Sequence, residues 1–120
     1  MIKIVVGGAI DKQNIAKIIE GIGGKDVKVE IKSDIEAAMA VKTGTADYYF
    51  GACNTGGGGA LAMAIALLGA GKCATLSMPG KAPEEEKVIE AINKGKVAFG
   101  FTNEHINQAV PMILKLIINK

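Results

Sequence analysis

Apolar residues recur along this chain with two alternating periods, and each switch of period marks an element. Ile2, Ile4, Val5 and Val6 form a β-branched run that reads as a strand. Between Asp11 and Ile22, Ile15, Ile18, Ile19 and Ile22 stand at i, i+3, i+4 and i+7, one face of a helix. Val27, Val29 and Ile31 then alternate with charged residues, so the second strand has one wet face and belongs at an edge. Ser33 followed three residues later by Glu36 is a capping box and opens a helix to about Lys42. Tyr48–Cys53 reads as strand three, Ala60–Leu68 as an apolar helix and Lys72–Ser77 as strand four. Pro83 is expected in the first turn of helix four, with Glu84, Glu85 and Glu86 complementing its dipole and Gly95 ending it. Lys96–Phe101 is strand five. Asn103–Ile118 is a last helical region interrupted by Pro111, which either kinks the helix or begins a new one. Asp11 and Asp34 read first as N-caps.

Five strand–helix units with short connections predict a single α/β domain over residues 1–120. Its form is a three-layer sandwich around a five-stranded, mostly parallel sheet, Rossmann-like or flavodoxin-like. In such sheets ligands bind beyond the carboxyl ends of the strands, near the point where strand order reverses. That rim carries Gly7-Gly8, Ser33-Asp34, the segment from Cys53 to Gly59, Ser77-Met78-Pro79-Gly80 and Thr102-Asn103. The opposite rim holds Gly-Lys turns at Gly24-Lys25, Gly71-Lys72 and Gly95-Lys96.

Composition narrows the function classes. The chain has 120 residues, 49% of them apolar and 22% charged, which suits a globular domain and not a disordered one. Its formal charge of +2 comes from lysines set against scattered carboxylates, with no arginine and no tryptophan. A nucleic-acid binder would present a basic stripe with stacking aromatics, and this chain has neither. No apolar run reaches the ~20 residues that span a bilayer, and the first residues do not resemble a signal peptide. Two cysteines make no disulfide framework, so a reducing cytoplasm is the expected compartment. One histidine without clustered Cys/His spacing argues against a metal site, and no cofactor is expected.

The sharpest chemical signal is Cys53-Asn54-Thr55-Gly56-Gly57-Gly58-Gly59, a glycine run between a strand and a helix. Glycines there let several backbone N–H groups face one point at the positive end of a helix dipole, an arrangement that holds anions. Close helix–sheet packing is the bland explanation, but it accounts for one or two glycines, and each costs roughly 0.5–1 kcal/mol against alanine. The run is neither a GxGxxG fingerprint after the first strand nor a Gly-Lys-Ser/Thr loop. Cys53 ends strand three on this rim, where neighbouring N–H donors favour a thiolate, or else it is an inert half-buried thiol. Thr55 either donates to an anion or caps the helix. His105 either moves protons or is a solvated first-turn side chain. Ser77, Asn54, Asn103, Gly7 and Gly8 are further rim positions for ligand contact, and Cys73 is expected in the core. Helix three carries no charge from Ala60 to Ala70, which predicts a homo-oligomer contact there, the bland alternative being a central helix covered by its neighbours.

Several of these segments resemble a known group. Asp34-Ile35-Glu36-Ala37-Ala38-Met39, Asp47 to Gly56, Gly95 to Gly100, Glu104-His105 and Val110-Pro111-Met112 closely resemble the YhfU-like bacterial family over essentially the full length. That family has no assigned activity. Its gene neighbourhoods, beside a membrane transporter and enzymes of amino-sugar or amino-acid type, imply a role in the uptake or breakdown of a small metabolite. A fainter similarity links Cys53, Thr55, Gly56 and Gly58 to the turn of ribose-5-phosphate isomerase B, where the cysteine moves a proton and the amides hold an enediolate. Those isomerases carry an Asp-His pair where this chain has Gly7-Gly8-Ala9, and arginines that this chain lacks. Phosphotransfer carrier domains are also small α/β units with one reactive cysteine, but theirs follows the first strand.

The expected function is binding of a small anionic, acidic or phosphorylated, metabolite at the glycine turn. Cys53, aided by His105, would carry a proton-transfer or isomerase-type reaction there. The alternative is a non-catalytic ligand-binding or regulatory subunit of a small-molecule transport system.

Overall fold

The computed structural model describes residues 1–54 and 58–120. Five parallel strands form one sheet: β1 (Ile2–Gly8), β2 (Val27–Ile31), β3 (Tyr48–Cys53), β4 (Cys73–Thr75) and β5 (Ala98–Thr102), in the order β2-β1-β3-β5-β4. The helices between and after them are α1 (Lys12–Gly23), α2 (Asp34–Lys42), α3 (Gly58–Leu68), α4 (Glu85–Asn93) and α5 (Ile106–Ile118). Short 3-10 turns occupy Gly24–Asp26, Ala70–Lys72 and Asn103–His105. β2 lies at the edge, as its alternation predicts.

The two faces of the sheet are built differently. One is a thick core in which Ile15 and Ile19 of α1, Val88 and Ile92 of α4, and the α5 face pack on Ile4, Val6, Phe50, Phe99 and Phe101. Phe50 meets Phe99 and Phe101 edge-on, with ring centroids 5.9 and 6.4 Å apart. The other face is thin. Ala37, Ala38 and Ala40 of α2 and Ala60 and Ala64 of α3 bring these two helices close to the sheet, and Tyr49 and Leu61 are the large side chains buried there among the described residues. Small side chains thus set the spacing, and the Tyr49 ring together with Leu61 fills what they leave.

Element ends follow the sequence with instructive exceptions. Ser33 caps α2: its Oγ accepts the Glu36 amide at 3.2 Å and donates to the Glu36 carboxylate at 3.0 Å. Asp34 is therefore the first helical residue and not the cap. Asp11 does stand at the α1 cap position, but in a left-handed conformation (φ 55°) and without a side-chain capping bond. α4 starts at Glu85 with Glu84 as its cap, so Pro83 lies outside the first turn where the sequence placed it. An extended residue before the helix suits proline equally well, which is why composition alone misassigns it. β4 is only three residues long, because Ser77 leaves the ladder to bond through its side chain. α5 runs unbroken through Pro111, so the proline neither ends one helix nor begins another. Among the described residues no helix is long and apolar enough to cross a membrane.

Candidate functional site

The helices after β1 and β5 pack on the thick core, whereas α3, which follows β3, packs on the thin one. At the carboxyl end of β3 the chain therefore leaves on one side of the sheet while its two neighbours leave on the other. A crevice opens between such diverging connections. Cys53 is the last residue of β3 and is buried. Its Sγ lies 3.7 Å from where a Cβ would stand on Gly59, so the thiol sits against the first turn of α3. Ala9, in the loop after β1, borders the same point at 4.0 Å.

Register brings a second group to this place. Cys53 pairs with Thr102 at the end of β5. Tyr49 and its partner Ala98 both face the thin core, and alternation carries that orientation on to Cys53 and Thr102. Adjacent strands lie ~4.8 Å apart, so thiol and hydroxyl are neighbours across the sheet. Thr102 is fully buried, its amide donates to Ser77 Oγ at 2.9 Å, and the two hydroxyls are 3.0 Å apart. Thr102 Oγ1 is also bonded to His105 Nδ1. His105 is 9% exposed, so it is a buried residue and not a solvated first-turn side chain. Glu104 accepts the Gly80 amide at 2.9 Å and stands 3.9 Å from His105 Nδ1. Ser77 also forms part of the wall of a cavity of about 70 Å³ beyond β4, which Lys81, Glu84 and Lys87 line as well.

The third group is Tyr49. Its ring runs along the sheet over Gly7 and Gly51, which are register partners, and a Cβ on Gly7 would stand 2.6 Å from the ring. At the rim the hydroxyl accepts the Gly8 amide at 2.9 Å and donates to the Ala60 carbonyl in α3 at 2.8 Å. Asp34 Oδ1 stands 3.4 Å away. Burial, and then the Asp34 carboxylate, push the ionisation of this phenol well above the ordinary tyrosine range, so it stays protonated.

Of the positions read from the sequence, Cys53, Ser77 and His105 come together on one rim, with Gly59 beside the thiol. Asn54 and Asn103 are exposed next to them. Gly7 and Gly8 line the same rim, but Gly7 makes room for the Tyr49 ring and the Gly8 amide is committed to the Tyr49 hydroxyl. Gly58 opens α3, while Thr55, Gly56 and Gly57 lie outside the described residues. Sequence reasoning missed the roles of Thr102 and Tyr49. The signal for Tyr49 was present in the glycines Gly7 and Gly51, whose vacant positions on one face leave a slot for a ring. Cys73 is buried in the thin core, where burial raises its thiol pKa. Among the described residues no group of His, Cys, Asp and Glu could hold a metal ion.

A family model described as "Protein of unknown function DUF2620" matches residues 2–117. The chain is 46% identical over 114 residues to "Uncharacterized protein YhfU" of Escherichia coli strain K12, covering 95% of this chain and 97% of that protein. The protein of the same description from Shigella flexneri gives the same identity and coverage. No solved structure matches the chain.

Proposed function

The chain belongs to the family described as protein of unknown function DUF2620, and from that footing we propose that it binds a small anionic metabolite at the turn after β3. The ligand is carboxylated or phosphorylated, the compartment is the cytoplasm, and the chemistry is a proton shift. Cys53 exchanges the proton, the amides at the start of α3 and Thr55 hold the developing negative charge, and His105 assists from the β5 side. One observation carries the reading: β3 and its two neighbours send their helices to opposite faces, and at that strand end Cys53 stands beside Thr102, which is bonded to His105.

A thermal-shift screen against sugar phosphates, amino acids and organic acids tests it. A ligand at 100 times its Kd adds about 2.7 kcal/mol of stability. Cys53→Ser is then expected to bind the hit while losing roughly 10²–10⁴-fold in turnover, the range for a missing acid–base group. Undiminished turnover would remove the proton-transfer role. A hit without turnover would favour the rival reading, a non-catalytic ligand-binding or regulatory subunit that works with a small-molecule transport system. Absence of any hit would count against both.

The proposed partner of α3 is a second copy of the chain. Ala62, Ile65 and Ala66 are exposed on this uncharged helix, Ile65 at 42%, and Ile35 and Met39 of α2 are exposed as well. Sedimentation is expected to give a mass above the 12.4 kDa of one chain, and Ile65→Lys to reduce it to that value. A monomeric wild-type protein would end this part of the reading.

A further inference from the structure

Ser77, Thr102 and His105 form a buried hydrogen-bond chain whose direction follows from placing its protons. Ser77 Oγ accepts the Thr102 amide, the Ser77 and Thr102 hydroxyls share a bond, and Thr102 Oγ1 is bonded to His105 Nδ1. Two polarities are conceivable. In the first, Ser77 donates to Thr102 and Thr102 donates to Nδ1, so each hydroxyl proton has an acceptor. In the second, Nδ1 carries a proton and donates to Thr102, Thr102 donates to Ser77, and the Ser77 proton has no acceptor among the described residues. The first polarity satisfies every hydroxyl proton within the protein, whereas the second leaves the Ser77 proton only the adjoining cavity to donate into, so the first is favoured.

A neutral imidazole protonates one nitrogen, and with Nδ1 accepting, that nitrogen is Nε2. Nε2 has no partner among the described residues, yet no buried side-chain nitrogen or oxygen among them lacks one. Nε2 is therefore not sealed from solvent and is the ring nitrogen left open to a further partner. Glu104, the carboxylate 3.9 Å from Nδ1, is engaged by the Gly80 amide and makes no hydrogen bond to the ring.

We propose that Thr102 and Ser77 are positioning residues that hold His105 as a neutral, Nε2-protonated imidazole, presented at the rim as a hydrogen-bond donor. Such a donor recognises an acceptor oxygen on a carbonyl, carboxylate or phosphate, and it leaves proton abstraction to Cys53. This last step rests on the ligand reading above, whereas the tautomer is a property of the free protein.

His105 is the sole histidine, so long-range ¹H–¹⁵N spectra of the uniformly labelled chain contain one imidazole. The expected spectrum shows an unprotonated Nδ1 and a protonated Nε2. Thr102→Val removes the hydroxyl at nearly constant volume and is expected to reduce the tautomer preference by about tenfold, drawing the two nitrogen shifts together. Thr102→Ser keeps the hydroxyl and is expected to restore the wild-type pattern. A protonated Nδ1 or averaged nitrogens in the wild-type protein would overturn the proposal, as would an unchanged pattern in Thr102→Val. Should Thr102→Val not fold, the wild-type and Thr102→Ser spectra still decide. A failed ligand screen leaves this tautomer standing, and the opposite tautomer leaves the screen standing.

Discussion

Gly8→Ala is expected to destabilise the fold by roughly 2–5 kcal/mol, the sum of two independent costs. Gly8 has φ +82°, where an L side chain presses on its own carbonyl at about 1–2 kcal/mol. The added Cβ would also stand 2.7 Å from the Ala52 nitrogen and 3.0 Å from both the Ala52 oxygen and the Gly51 Cα. All three are backbone atoms of β3, so no side chain can swing aside, and forced repacking of this kind costs about 1–3 kcal/mol. The Ala52 carbonyl also accepts the amides of Ala9 and Ile10, at 3.0 and 3.3 Å, so displacing it loosens the loop after β1. Against a total stability of about 5–15 kcal/mol the loss is large. Urea denaturation measures it, with Gly21→Ala as the control. A Cβ on Gly21, within α1, meets nothing within 4 Å, so that change is expected to be neutral or to stabilise by about 0.5–1 kcal/mol. Similar midpoints for the two variants would mean that Gly8 is not held as described.

The contrast between these two glycines shows what can be read from a chain and what cannot. The run from Cys53 to Gly59 announces its place between a strand and a helix. The register of β1 with β3, which turns Gly7 and Gly51 into facing partners, exists only once the sheet is assembled. Periodicity places β1, β2, β3 and α1 well because burial on one face forces it, whereas β4 is half its expected length and β5 begins two residues late. β2 and β3 span the residues that alternation and the apolar run predict. Pro83 is misjudged because proline fits an extended residue before a helix as well as its first turn, whereas Pro111 lies inside one helix, the first of the two readings the sequence left open. For the site, Cys53, Ser77 and His105 are legible as rim residues, since strand ends can be located from pattern. Thr102 is legible as a rim position, but its bond to His105 depends on the 3-10 turn at Asn103–His105 that folds the imidazole back. The burial of His105 follows from the same turn, and no helical periodicity encodes it.

Tyr49→Phe isolates the second large effect, because it removes one oxygen and leaves the ring. Tyr49 is fully buried, and phenylalanine fits the slot over Gly7 and Gly51 without new contacts. What is lost is the acceptor for the Gly8 amide and the donor to the Ala60 carbonyl, the bridge that ties the end of β1 to the first turns of α3. A buried N–H left without a partner costs about 1–3 kcal/mol, and that is the expected loss near neutral pH. The difference also carries a pH signature. Because the Tyr49 ionisation is raised in the folded state, the unfolded chain gives up this proton first, as pH passes the ordinary tyrosine value near 10. From there the unfolded state binds fewer protons than the folded state, so wild-type stability falls with rising pH by up to about 1.4 kcal/mol per unit for this group. The stabilisation is complete below that value and is lost progressively above it. Tyr49→Phe lacks the group and escapes this part of the alkaline loss, while every other group is common to both proteins and cancels from the comparison. The gap between the two proteins, measured by urea denaturation at about pH 8 and about pH 11, is therefore expected to narrow at the higher pH. A gap that stays constant would mean that the hydroxyl is not enclosed between Gly8, Ala60 and Asp34, and the rim would then lack the brace that keeps the start of α3 beside Cys53.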